Sequence, residues 1–122
     1  MRLRAILFGA VLMFTFAVVH AADKPAGEAS VVSGVITDSI CARAGSHDEA
    51  MHMSKDMGKT AAQCTIACVD KMGAKYVLYD AKSKKTYRLS DQALAKKFAG
   101  QPVKVSGVLN KNQIQVQSIV AE

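Results

Sequence analysis

The stretch "PVKVSGVLNKNQIQVQSIV", residues 102–120, alternates apolar and polar side chains on both sides of the polar turn "NKN". Val103 and Val105 point one way from the first half, and Ile114 and Val116 point one way from the second. This alternation is typical of an antiparallel hairpin with one buried face and one face in water. The stretch therefore predicts the last two strands of a β domain.

The residues before this hairpin predict three more strands and two helices. "SVVSGVITDS", residues 30–39, is rich in β-branched residues, and "KYVLYD" and "KTYRL" flank the polar turn "AKSK". The segment 61–72 has apolar residues at helical spacing, with Thr60 and Gln63 as a capping box and Gly73 at its end. "DQALAKKFA" predicts a short helix with Ser90 as its N-cap and Gly100 after it.

The order of these elements predicts a mainly β protein. It is a five-stranded, OB-fold-like β-barrel with a helical insert after strand 1 and a short helix between strands 3 and 4. A small barrel also removes exposed strand edges. The alternative is an open α+β sheet with the same number of strands.

The first residues predict export. Arg2 and Arg4 precede an apolar run of about 15 residues, which is shorter than a bilayer span, and small residues follow it at Ala21 and Ala22. An uncleaved membrane anchor is the alternative. We expect cleavage after Ala21, a periplasmic or secreted protein, and no membrane anchor after cleavage. The expected organisation is a signal peptide at 1–21, a flexible lead-in at 22–29, and an OB-like domain at 30–122 with an insert at 41–73.

Charge and motifs exclude several function classes. Without Arg2 and Arg4, 14 basic residues remain against 10 acidic ones, a net charge of about +4. The lysines form no dense run and aromatic residues are few, so no nucleic-acid partner is expected. There is no phosphate loop and no serine nucleophile motif, and Asp38 near Cys41 and His47 is too little to predict a cysteine nucleophile. We therefore expect a protein that is not an enzyme.

The segment "CARAGSHDEAMHMSKDMGKTAAQCTIAC", residues 41–68, holds all three cysteines, two of three histidines and three of six methionines. Cys64 and Cys68 are four residues apart on a predicted helix, so both sulfurs project from one face. Cys41, at the end of the first strand, and His47 would complete a tetrahedral set of the kind zinc uses. Further candidate ligands are His52, Met51 and Met53; thioethers, including Met57, suit cuprous copper.

A disulfide is the competing hypothesis for these cysteines. Cys41 would pair with Cys64 or Cys68, which would fasten the insert to the barrel by roughly 2 to 4 kcal/mol. The odd thiol would then be buried or would join two chains. In that case the barrel would bind a partner protein, an envelope polymer or a small ligand without metal, and the ligand-face candidates are Tyr76, Tyr79 and Tyr87. A thiol redox role is a third hypothesis, although its usual C-x2-C spacing is replaced by C-x3-C.

The pattern resembles a group of small exported bacterial proteins of unknown function. The matching pieces are "GVITDSIC", His47, "CTIACV" leading into "GAKYVLYD", then "FAGQPVKVSG" and "IQVQSI". Together they touch most of residues 34–119, and the order of Cys41, Cys64 and Cys68 before the "GAKYVL" strand is the most specific part. The resemblance implies a signal peptide, a Cys…CxxxC insert and an OB-like barrel. It implies no activity.

Overall fold

The structure, a computed structural model, describes residues 27–45 and 55–122. Within them the strands are β1 (Glu28–Asp38), β2 (Tyr76–Asp80), β3 (Lys85–Leu89), β4 (Pro102–Asn110) and β5 (Gln113–Ala121). The helices are α1 (Cys41–Ala44), α2 (Ala61–Met72) and α3 (Gln92–Lys96), with a 3-10 turn at Lys55–Met57. The predicted signal peptide, most of the lead-in and residues 46–54 lie outside the described residues.

The five strands form a closed barrel in the order β1-β2-β3-β5-β4. The long strand β1 closes it, because its first part pairs with β4 and its last part pairs with β2, both antiparallel. The contact between β3 and β5 is parallel and short, with Arg88 opposite Gln113 and Leu89 opposite Ile114. The prediction of a mainly β, OB-like barrel is confirmed, and the open-sheet alternative is wrong.

The inside of the barrel is filled by the alternating apolar residues. Ile36, Leu78, Val103, Val105 and Ile114 are each at most 1% exposed and belong to one buried cluster. They come from β1, β2, β4 and β5, so the core is built from segments far apart in the chain. Close packing of this kind accounts for most of the hydrophobic stabilisation of a small barrel.

Several boundaries differ from the sequence expectation by one to three residues, and contacts explain two of them. Strand β1 begins at Glu28, two residues early, because Glu28 pairs with Leu109 across the barrel seam. The N-cap of α3 is Asp91, and the prediction of Ser90 was wrong. Asp91 Oδ1 accepts a hydrogen bond from Leu94 N at 2.8 Å, whereas Ser90 Oγ accepts one from Val116 N at 2.8 Å.

Helix α2 begins and ends at the predicted residues. Thr60 Oγ1 accepts from Gln63 N at 3.2 Å, and Gly73 adopts a left-handed conformation with φ 70°. The second half of the expected capping box differs: Gln63 Oε1 accepts from Lys59 N, one residue before the N-cap. The result still satisfies an amide that would otherwise lack a partner at the helix start.

Helix α2 packs closely on the barrel at Gly100. This glycine has φ +76°, and a Cβ there would lie 2.5 Å from Ala62 N. From α2, Ile66 and Val69 pack against the barrel core. The helix is therefore held across one end of the barrel, with its cysteine face directed to the end of β1.

None of the helices within residues 27–45 and 55–122 is long and apolar enough to cross a membrane.

Candidate metal centre

The three cysteines meet in a second buried cluster beside the barrel core. Cys41 is the first residue of α1, while Cys64 and Cys68 lie one turn apart on α2. They are 2%, 0% and 0% exposed, and Met57 and Ala74 pack with them. The helical spacing predicted that Cys64 and Cys68 share a face, and the closed barrel brings the end of β1 to the same face.

A tight turn after β1 directs Cys41 toward α2. Asp38 Oδ1 accepts hydrogen bonds from the backbone N–H groups of Ile40 and Cys41, each at 2.9 Å. Gly45, in a left-handed conformation, ends α1, and its N–H donates to the carbonyl of Cys41 at 2.9 Å. The N–H and the carbonyl of Cys41 are therefore both hydrogen-bonded, which fixes the backbone at the start of this short helix.

The distances between the sulfurs suit a single ion. The Sγ atoms of Cys41 and Cys64 are 3.9 Å apart, and all three Sγ atoms lie within 4.8 Å of one another. A zinc–sulfur bond of about 2.3 Å in tetrahedral geometry places neighbouring sulfurs about 3.8 Å apart. The Cys41–Cys64 separation already matches this value.

Two of the three thiols have a raised pKa in the metal-free protein. Burial, and then the adjacent Asp38 carboxylate, raise the pKa of Cys41 far above its ordinary value. Burial and the charge of Asp38 likewise raise the pKa of Cys68 to about 11. A reactive redox cysteine needs the opposite shift, so neither Cys41 nor Cys68 has the pKa shift of a reactive thiol.

Three buried polar atoms beside this region have no hydrogen-bond partner among the described residues. They are Asp38 Oδ2, Thr65 Oγ1 and the Tyr76 hydroxyl. Asp38 and Thr65 are both 0% exposed, and Asp38 faces Tyr76 directly across the β1–β2 pair. Asp38 also raises the pKa of Cys41 through a side-chain hydrogen bond, so this carboxyl group belongs to the surroundings of the cysteine cluster.

The structure accounts for some of the predicted ligands. It brings together Cys41, Cys64 and Cys68, whereas His47, His52, Met51 and Met53 lie outside the described residues and stay predictions. Met57, whose side chain is buried in the same cluster, is the one member of the methionine group that is described. The sequence reasoning missed Asp38 as a member of this site; its signal was the spacing D-x-x-C at the end of a strand.

All three cysteines are free thiols here. A disulfide requires a sulfur–sulfur bond of about 2.05 Å, well below the 3.9 Å between Cys41 and Cys64. The two predicted pairings, Cys41 with Cys64 or with Cys68, stay predictions, because all three sulfurs are near enough to pair after a modest movement. The burial of every thiol disfavours a disulfide between two chains.

The three tyrosines proposed as a ligand face do not share one surface of the barrel. Tyr76 and Tyr87 are buried and belong to the core cluster. Tyr79 is partly exposed and lines an open groove of about 400 Å³ with Val31, Gly34 and Lys82 among its neighbours. A ligand on the outer surface would therefore contact Tyr79 alone of the three.

No protein-family model, curated protein or solved structure matches this chain. The chemistry of the cysteine cluster is therefore the main guide to function.

Proposed function

We propose that this protein is a small exported metal-binding module, in which an OB-like barrel carries one zinc or copper ion on Cys41, Cys64 and Cys68. The observation that carries the proposal is the meeting of three buried sulfurs within 4.8 Å of one another. Ordinary packing would explain one buried cysteine, since cysteine is among the most buried residues. It does not explain why three thiols from two separate elements converge at the spacing that one ion requires.

The ion and its fourth ligand are the finer part of the proposal. From the sequence, His47 is the leading candidate for a fourth ligand, which gives a Cys3His set of the kind that holds zinc. The soft sulfurs, with Met57 buried beside them, also suit cuprous copper. His52, Met51 and Met53 extend that possibility.

Export is the second part of the proposal. The basic start, the apolar run and the small residues before Ala22 support a signal peptide that is cleaved after Ala21. Cell fractionation together with the N-terminal mass of the purified protein tests it. A mature N-terminus at Ala22 in the periplasm or the medium is expected, and an uncleaved chain in the cytoplasm contradicts it.

The test of metal binding is elemental analysis and intact mass of protein purified without added metal or reductant. We expect about one zinc or copper per chain, and three cysteines that are alkylated only after unfolding in a chelator. Cys68→Ala should lose the metal, because it removes one of the three sulfurs. Metal retained in full by this variant would refute the site.

Thr65→Val is the matched control for that variant. Thr65 lies on α2, is 0% exposed like Cys68, and its hydroxyl has no partner among the described residues. The substitution keeps the volume and the buried position but removes no sulfur. Metal content should therefore stay at the wild-type level, which separates a ligand effect from a general disturbance of α2.

The competing function is a disulfide-stapled barrel that binds a partner protein, an envelope polymer or a small ligand without metal. The groove at Tyr79 is the observation that favours it. A metal-free protein two hydrogens lighter than the fully reduced mass, with one thiol left to alkylate, would support it. Tyr79→Ala should then weaken binding to the ligand while leaving the disulfide intact.

A further inference from the structure

The donor atoms of the cysteine cluster are all sulfur. The Sγ atoms of Cys41, Cys64 and Cys68 lie within 4.8 Å of one another, and within residues 27–45 and 55–122 no carboxylate oxygen belongs to this group. Because no two of these sulfurs are farther apart than 4.8 Å, they form a triangle and not a row. A centre that makes three bonds and needs no fourth ligand matches this set of donors.

Apolar side chains surround the three sulfurs. The cysteines are at most 2% exposed, and Met57 and Ala74 are buried in contact with them. The side chains of Ile40, Ala67 and Val69 pack against this cluster from outside. Bulk water is therefore largely excluded as a fourth ligand to anything held between the sulfurs.

These surroundings favour a bound complex without net charge. Three thiolates leave one negative charge around a divalent ion and two around cuprous copper, whereas a trivalent centre makes the complex neutral. Asp38, the residue hydrogen-bonded to Cys41 N at 2.9 Å, is buried and acidic, so it supplies no positive charge. The ion-paired lysines of the described residues, Lys96 and Lys104, lie on the surface. A buried net charge without a compensating cation is costly, so a trivalent centre fits this site best.

We propose that the cysteine cluster binds trivalent arsenic, which enters as arsenous acid and forms one bond to each of the sulfurs of Cys41, Cys64 and Cys68. Trivalent antimony shares this chemistry and belongs to the same ligand class. The inference rests on the proposed metal centre, because it uses the same three sulfurs, and it adds a class of ligand that the proposed function does not include.

The binding reaction needs no oxidant or reductant. Arsenous acid has three arsenic–oxygen bonds, and each of them breaks as one arsenic–sulfur bond forms. The proton of each thiol joins the departing hydroxide, so three water molecules leave and the arsenic stays trivalent. Its lone pair occupies the place of a fourth ligand. Arsenous acid is uncharged at neutral pH, so its entry into a buried site requires less desolvation than the entry of an ion.

The direct test adds arsenite to the purified protein, freed of metal and kept reduced by a phosphine, because thiol reductants would themselves bind arsenic. Intact mass under non-denaturing conditions should show one arsenic gained and three hydrogens lost per chain. Arsenic-edge X-ray absorption should show three sulfur ligands and no oxygen. Two sulfurs with one oxygen, or no bound arsenic, would overturn the proposal.

Cys68→Ala tests the third bond, because it leaves the sulfurs of Cys41 and Cys64, which are 3.9 Å apart. The arsenite affinity should fall roughly 100- to 10,000-fold, since the third bond forms at a high effective concentration once two are made. Phenylarsonous acid, which has only two exchangeable oxygens, should still bind to this variant, and its binding shows that the remaining pair of thiols is intact. Equal arsenite affinity in wild type and variant would refute three-fold coordination. If the variant does not fold, the X-ray absorption of the wild type decides the question.

Thr65→Val is the matched control for the arsenite measurement. Thr65 lies on α2 between Cys64 and Cys68, is 0% exposed and carries no sulfur. Its substitution should leave the arsenite affinity at the wild-type value. A fall as large as that of Cys68→Ala would show that the affinity depends on the packing of α2 and not on the third sulfur.

The failure of this inference and the failure of the proposed function are distinguishable. Wild-type protein that binds zinc or copper but no arsenite would overturn the inference and leave the proposed function intact. Wild-type protein that binds arsenite through three sulfurs but neither metal ion would overturn the proposed function and support the inference. Reduced protein that binds none of the three would overturn both.

Discussion

Zinc affinity should depend steeply on pH, because the metal must displace protons from buried thiols. The pKa of Cys68 is raised to about 11 and that of Cys41 is raised further, so both are protonated between pH 6 and pH 8. Each proton displaced multiplies the apparent affinity by about ten for every unit of pH. Two such thiols predict that the apparent zinc affinity rises at least 100-fold per pH unit.

The assay is competition with a chelator whose own pH dependence is known, at pH 6.5, 7.0 and 7.5. Calorimetry in buffers of different ionisation enthalpy counts the protons independently and should give at least two per zinc. If Cys68→Ala retains weak zinc binding, its apparent zinc affinity should rise about tenfold less per pH unit than that of the wild type. A wild-type slope of tenfold per pH unit or less would refute the reasoning that both thiols are protonated and both bind.

Three further predictions concern the metal-free fold. Its stability should fall as the pH rises from 9 to 11, and the part of this fall that depends on Cys68 should be about 2 kcal/mol, because the unfolded chain loses the Cys68 proton near pH 9 while the folded chain keeps it to about pH 11. Cys41, whose pKa is raised further, adds a fall of its own. Urea denaturation of the wild type and of Cys68→Ala across this range measures the difference, and an equal fall in both would contradict the prediction. Leu78→Ala should cost about 2 to 5 kcal/mol in urea denaturation, because Leu78 is 0% exposed in the barrel core, whereas Val31→Ala, at a site 66% exposed, should change stability by less than about 0.5 kcal/mol. Gly100→Ala should lower the thermal stability more than Gly73→Ala does. Both glycines have positive φ, but only at Gly100 would the new Cβ meet backbone, 2.5 Å from Ala62 N. Equal losses of thermal stability would show that the close contact does not matter.

Much of the fold could be predicted from local patterns. The alternation in residues 102–120 predicted β4 and β5, and Thr60 and Gly73 predicted the ends of α2, because strand faces and helix caps depend on neighbours within a few residues. Ser90 was wrong as a cap because Asp91, the next residue, competes for the same role. Only the pairing of Ser90 with β5, 26 residues later, decided between them.

The site was predictable only in part. The i, i+4 spacing of Cys64 and Cys68 places both on one helical face, and this follows from the period of the helix alone. That Cys41 joins them depends on where β1 ends relative to α2. The D-x-x-C spacing marks Asp38 as a neighbour of Cys41, but its complete burial was not predictable, because an aspartate at the end of a strand is ordinarily an exposed turn residue.

The sequence by itself determined the elements, their order and the chemistry gathered between residues 41 and 68. The tertiary structure decided which of these groups meet. Closure of the barrel by β1 and β4, and the close packing of α2 at Gly100, bring Cys41 to within 3.9 Å of Cys64 and bury Asp38 beside them. The physical reason is that secondary structure follows short-range periodicity, whereas a site made of distant residues exists only after long-range packing has fixed their separation.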